Sequence, residues 1–291
     1  MPPVALVTDT TNYMPRELRE ANDIHEVSLY VNSAERQQRE SEVTDFEAFY
    51  RRLRDGADLP TTSQPSIGDF LAVYEPLAEA GHDIVSVHLP GGISGTVDSA
   101  RQAAEELGRS RPSTRIKVID GRTACGGLGM LLLAGAASAR AGGNVDQVAA
   151  RVRAASEAIK IWFALDTLEF LRRGGRVGPA QAWLGGALKI KPILSIGDEI
   201  APIERVRTSG RAFERMVDYL RSRSDDGADA WVVQHIQAPG EAQRLVERGR
   251  EIFGSEPLFV SEVGAVIGVH AGPGMIGVGG FPSSLLDDTT P

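Results

Sequence analysis

Short apolar runs alternate with amphipathic stretches along the whole chain. Val4 to Thr8 reads as a strand ending in the polar loop Asp9-Thr10-Thr11-Asn12, and Pro15 suits the first turn of a helix. His25 to Val31 reads as a second strand, and the polar run Ser33 to Glu42 as an exposed loop or hairpin. Thr44 and Glu47 are spaced as a capping box before Phe46, Phe49 and Leu53. Ser66 and Asp69 repeat that start signal before Phe70, Val73, Tyr74 and Leu77. Asp83 to Leu89 is a strand. Gly95 to Leu107 is a helix, with Val97, Ala100, Ala103, Ala104 and Leu107 at near-helical spacing. Arg115 to Ile119 is a further strand and Thr123 to Arg140 a mostly buried helix. This order predicts a mostly parallel sheet with helices on both faces.

The pattern changes after a helix from Val145 to about Ala158. Lys160 to Leu165 is a strand, and Pro192 to Ile196 and Ile200 to Arg207 are adjacent strands joined at the hairpin signal Gly197-Asp198. Phe213 to Leu220 reads as helix, Trp231 to His235 as strand, Glu241 to Phe253 as helix, and Leu258 to Val263 and Met275 to Val278 as closing strands. The expected class is therefore α/β in two domains, residues 1–157 with the parallel sheet and 158–291 with a mixed α+β sheet. The polar tail from Pro282 to Pro291 reads as frayed.

Composition narrows the function. In 291 residues, 42% are hydrophobic, enough for a full core. A net charge of −8 argues against broad nucleic-acid binding. One cysteine, Cys125, excludes an intrachain disulfide and a Cys-based zinc cluster, and no His/Asp/Glu grouping has metal spacing, so neither metal nor cofactor is expected. The start Met1-Pro2-Pro3-Val4 does not read as a signal peptide. The apolar stretch from Gly126 to Ala139 falls short of the roughly 20 residues a membrane span needs. A cytoplasmic protein without an integral membrane segment is the expectation.

Three separated segments carry similar chemistry: Thr62-Ser63-Gln64-Pro65-Ser66, Gly92-Ile93-Ser94-Gly95-Thr96 and Gly268-Val269-His270-Ala271-Gly272-Pro273-Gly274. Each sets hydroxyl or imidazole groups among Gly and Pro. Converging, they would give neutral donors and backbone N–H groups suited to an anionic or polar head group. The ordinary reading of Ser94 or Thr96 is a helix cap, and of Ser66 likewise. His270 is read in a Gly-rich loop before the last strand. Ser94 lacks the nucleophile-elbow pattern, since Thr96 stands where Gly is required. Arg172, Arg173, Arg176, Lys189 and Lys191 form a basic cluster, either a solvated face or a docking patch for an acidic or phosphate-bearing partner. Cys125 reads as a buried small residue.

Taken together, these residues resemble the DegV family of bacterial fatty-acid-binding carriers. The resemblance runs through Val7-Thr8-Asp9-Thr10, Thr62 to Ser66, Ser94-Gly95-Thr96, Val118-Ile119-Asp120, Leu165 to Arg176, Leu188 to Leu194 and His270 to Gly274. It implies two α/β domains with a long-chain fatty acid in a tunnel between them. It also implies carboxylate contacts from Thr62, Ser94 and His270, with Ser63, Gly95 and Thr96 beside them, and a separate ATP-dependent fatty acid kinase that converts the bound acid to an acyl phosphate. Arg172, Arg173 and Arg176 are then the expected kinase-docking residues. Gly121 stands where the family commonly has Ser, and Val97 where it often has Tyr; both bear on tunnel shape. Two rivals remain at this point: a hydrolase or acyltransferase using Ser94 and His270, and a phosphate-ligand-binding module without lipid.

Overall fold

The computed structural model describes residues 2–34, 36–56, 60–184 and 190–288. Strands β1 (Val4–Asp9), β2 (Ile24–Val27), β3 (Tyr30–Asn32), β4 (Gln37–Arg39), β5 (Thr61–Ser63), β6 (Asp83–His88) and β7 (Ile116–Asp120) fall in the first half. Strands β8 (Lys160–Ala164), β9 (Lys191–Ile196), β10 (Ile200–Val206), β11 (Ala230–His235), β12 (Phe259–Glu262) and β13 (Ile276–Phe281) fall in the second. The helices are α1 (Arg16–Ala21), α2 (Phe46–Asp55), α3 (Ile67–Glu79), α4 (Thr96–Ser110), α5 (Gly126–Arg140), α6 (Val145–Ala158), α7 (Glu169–Arg173), α8 (Ser209–Asp225), α9 (Pro239–Phe253) and α10 (Ala265–Ala271).

One sheet has the order β2-β1-β6-β7 with every pair parallel. Alternate side chains serve opposite faces, as the period of a strand requires. Ala5 and Val7 pack with Phe70, Tyr74 and Ala103 of α3 and α4, while Leu6 packs with Leu131 and Val152 of α5 and α6. The second sheet, β10-β9-β8-β13-β11-β12, is antiparallel except for β11 with β12. Helices α8 and α9 cover its outer face around Phe213, Met216, Trp231 and Leu245.

Helix α5 lies between the two sheets and is buried nearly all round. One core joins its Leu128, Leu131 and Leu132 to Leu6 and Val85 of the first sheet and to Ile161, Val232 and Phe259 of the second half. Its glycines allow that approach: a Cβ on Gly129 would stand 2.7 Å from Phe259 Cζ, and one on Gly135 2.8 Å from Val152. The apolar, Gly-rich stretch visible in the sequence is thus a buried packing helix.

Four expectations need correction. The expected strand from His25 to Val31 breaks after Val27, where Leu29 N–H donates to Thr10 Oγ1 at 3.3 Å and Ser28 Oγ donates to the Leu29 carbonyl at 2.9 Å in place of ladder bonds. Tyr30–Asn32 instead joins a separate three-stranded sheet, β4-β3-β5, with Thr62 on β5. Helix α2 is capped by Asp45, whose Oδ1 accepts from Ala48 N–H at 2.9 Å, rather than by Thr44. His270 lies in the last turn of α10, where three small residues, Ala265, Gly268 and Ala271, let a short helix form in a tight space. The tail is held as far as Asp288: Ser283 bonds Asp229, and Arg151 donates to the carbonyls of Leu285 and Asp287.

Candidate functional site

Three elements bring the predicted polar residues together. Strand β5 presents Thr62, and the turn before α4 presents Ser94. Helix α10, packed on β5 and α7, presents His270. Thr62 Oγ1 and His270 Nε2 are 2.8 Å apart. On its other side the imidazole meets the backbone of Gly174, where a Cβ would stand 2.0 Å from Nδ1. Only glycine fits at 174 with the ring in this position. Ser94 Oγ is 2.9 Å from Thr96 Oγ1 and accepts from Thr96 N–H at 3.3 Å. Gly95, the N-cap residue of α4, lies against Gln64.

Thr62, Ser63, Ser94 and His270 line part of a cavity between the two halves of the chain. Its remaining wall is mostly apolar. Leu29, Leu89 and Ile93 come from the first half, and Ile161, Phe163 and Ile200 from the second. The space the cavity encloses amounts to about 830 Å³, part of it open to solvent. Such a lining suits a mostly apolar ligand with a polar group.

Helix α10 is fixed at its start by buried polar groups. Glu40 Oε1 accepts from Val266 N–H at 2.7 Å and from Tyr13 OH at 2.6 Å, and Glu40 Oε2 accepts from Thr10 Oγ1 at 2.6 Å. Tyr50 OH donates to the carbonyl oxygens of Val263 and Gly264, each at 2.8 Å. Burial pushes the Glu40 carboxyl up to about 7, against the hydrogen bonds that favour its charged form. At His270, burial first and the charge of Arg176 second lower the imidazole to about 4, so it is neutral near pH 7. Burial likewise raises the Cys125 thiol, which keeps it uncharged in the cavity wall.

The structure divides the basic cluster. Arg172 and Arg173 are exposed and share Glu169, at 2.7 and 2.5 Å. Arg176 turns inward, donating from Nε to the Ile93 carbonyl at 3.2 Å and from a terminal nitrogen to the Gly174 carbonyl. It lines the cavity and ties the Ser94 turn to the segment after α7. Lys191 pairs with Asp166, and Lys189 lies outside the described residues. Thr96 and Gly95 do not line the cavity, and neither do Gly121 and Val97. Sequence reasoning missed Gln234, a polar residue in the wall. Its signal was present as a lone amide in the apolar strand Trp231-Val232-Val233-Gln234.

Ser94 and His270 are not hydrogen-bonded to each other, and His270 Nδ1 is buried with no partner among the described residues. A nucleophile–base–carboxylate relay is therefore not assembled. Among the described residues no group of His, Cys, Asp and Glu could hold a metal, and no helix is long and apolar enough to cross a membrane.

Comparison with known proteins agrees with this architecture. The family model described as uncharacterised protein, DegV family, matches residues 3–283. A DegV domain-containing protein of Streptomyces coelicolor is 38% identical over 278 residues, covering 94% of this chain and 97% of its own. A Thermus thermophilus structure reported for fatty acid binding of a DegV family protein has a TM-score of 0.86 at 32% identity, covering 96% of this chain and 99% of its own. The structure of DegV from Bacillus subtilis, described as a fatty acid binding protein, has a TM-score of 0.85 at 33% identity, covering 97% and 100%. With the family model matched over residues 3–283 and relatives above 30% identical aligned over nearly their whole length, this chain belongs to the DegV family.

Proposed function

We propose that this chain is a carrier that binds one long-chain fatty acid in this cavity, with the carboxylate at Thr62, Ser94 and His270. The observation that carries the reading is a mostly apolar cavity whose lining also holds Thr62, Ser94 and His270 with the Arg176 guanidinium. Each buried methylene contributes about 0.8 kcal/mol, so a long tail supplies roughly 10 kcal/mol before the costs of binding. The head-group residues then need only orient the carboxylate. With His270 Nδ1 unpartnered, the tautomer that uses Nε2–H donates to Thr62 Oγ1 and frees the threonine hydrogen for the ligand. Thr96 can support Ser94 in the same way.

In this reading the protein performs no chemistry itself. It presents the carboxyl group to a separate ATP-dependent fatty acid kinase, which forms the acyl phosphate, in the cytoplasm. The exposed Arg172 and Arg173 are the docking residues for that acidic or phosphate-bearing partner. Arg176 instead positions the Ser94 turn. Calorimetric titration with a long-chain acid and the alcohol of equal length tests the head-group assignment. The acid is expected to bind at least tenfold tighter; equal affinity would remove these residues from carboxylate recognition.

A further inference from the structure

Gln234 occupies a position that packing alone would give to Leu or Met. Strand β11 is interior to its sheet, with β13 on one side and β12 on the other. Trp231 and Val233 point to the outer core under α8 and α9. Val232 and Gln234 therefore face the inner side, where Val232 joins the apolar core and Gln234 lines the cavity. Gln234 is only 2% exposed.

Half of its amide has a structural use. Helix α5 begins after Cys125, which sits at φ +54° and makes no side-chain cap. Gln234 Oε1 takes up that duty, accepting from Gly126 N–H at 2.8 Å. A backbone N–H can only donate, so the oxygen faces Gly126 and the NH2 group is turned away from it. Nε2 has no hydrogen-bond partner among the described residues. Opposite Gln234 in register stands Gly277, where a Cβ would lie 2.9 Å from Nε2. Glycine there keeps space beside the amide. The wall's Ile161, Phe163, Met275 and uncharged Cys125 thiol supply no good acceptor, and its hydroxyl and amide groups, Thr62, Ser63, Gln64 and Ser94, make no hydrogen bond to Nε2.

We propose that the Gln234 amide is a specificity determinant that donates to an oxygen substituent, a hydroxyl or keto group, within the acyl chain of the bound ligand. This rests on the fatty-acid reading above. A saturated chain leaves a buried donor unpaired, which is costly. A double bond offers only a weak N–H···π contact. An oxygen on the chain restores a full hydrogen bond.

The test is competitive titration of the full chain with stearic acid and a panel of monohydroxylated stearic acids, the hydroxyl stepped along the chain. The wild type should prefer one position, or two adjacent ones, about tenfold over stearic acid, and Gln234→Met should lose that peak. The ratio is taken within each variant, so a general loss of stability cannot imitate the effect. If Gln234→Met does not fold, the wild-type positional profile decides alone. A flat profile, or a peak that persists in Gln234→Met, overturns the proposal while leaving fatty-acid binding intact. Failure of every acid to bind overturns both.

Discussion

An imidazole wedged between Thr62 and Gly174 stands in the polar part of the cavity lining. Its contact with Thr62 and its lowered proton affinity make it an orienting group and a poor base near pH 7. Thr62→Val and Ser94→Ala each remove one hydroxyl that the proposed carboxylate would use. Each should weaken fatty-acid binding roughly 10- to 100-fold, as expected for a hydrogen bond to a charged group; unchanged affinity by fluorescent-ligand displacement removes that residue from the site. The buried acids and bases also shape the pH dependence of stability. His270 is lowered from its ordinary 6.5, so its contribution is complete above 6.5 and lost as pH falls toward about 4. Glu40 is raised from 4.5, so its contribution is complete below 4.5 and lost as pH rises through about 7. Burial and the nearby Asp9 charge disfavour the Glu40 carboxylate. Glu40→Gln keeps an acceptor for Tyr13 and Val266 without the charge. Its stability relative to wild type should therefore rise between pH 5 and pH 8, by on the order of 2 kcal/mol, in urea unfolding at each pH. A constant difference contradicts the role of this carboxyl. At this scale Thr62, Ser94 and His270 were legible because they stand in short motifs. Gln234, Glu40 and the inward turn of Arg176 were not, since each depends on a partner 80 or more residues away in sequence.

Among the elements, the segment from α7 to Arg176 carries two separable roles. Arg173 lies on the surface with Glu169, while Arg176 reaches the Ile93 carbonyl beside Ser94. Arg173→Glu should leave lipid affinity within about twofold, as expected where a surface ion pair contributes little, and should reduce transfer to the proposed kinase partner. Arg176→Met should weaken lipid binding several-fold by untying the Ser94 turn. Equal losses of both activities in both variants would make the whole segment structural. Helix starts with good local signals were readable, as the Ser66–Asp69 capping box shows. The helical state of His270 was hidden because Gly and Ala at 268, 271 and 272 resemble a loop in sequence. Its helix is instead held by Glu40 and Tyr50 from distant parts of the chain.

For the whole molecule, strand membership divides cleanly: the parallel sheet ends at Asp120 and the mixed sheet begins at Lys160. The alternation of apolar runs made that division legible. The shared core around α5 was not legible, because a helix that is apolar all round gives no sign of having two partners. We propose that the division near residue 157 is topological and not energetic. Residues 1–157 expressed alone should lack a cooperative thermal transition, since α5 would expose the face that packs on Ile161, Val232 and Phe259; a sharp melt of that fragment would show independent folding. The central claim, a fatty acid held in the cavity between the halves, is tested most directly by native mass spectrometry of the purified full chain with extraction of any released ligand. A one-to-one mass increment matching a long-chain fatty acid is the result predicted. A mass that stays that of the bare chain after incubation with saturated and unsaturated long-chain acids would contradict it.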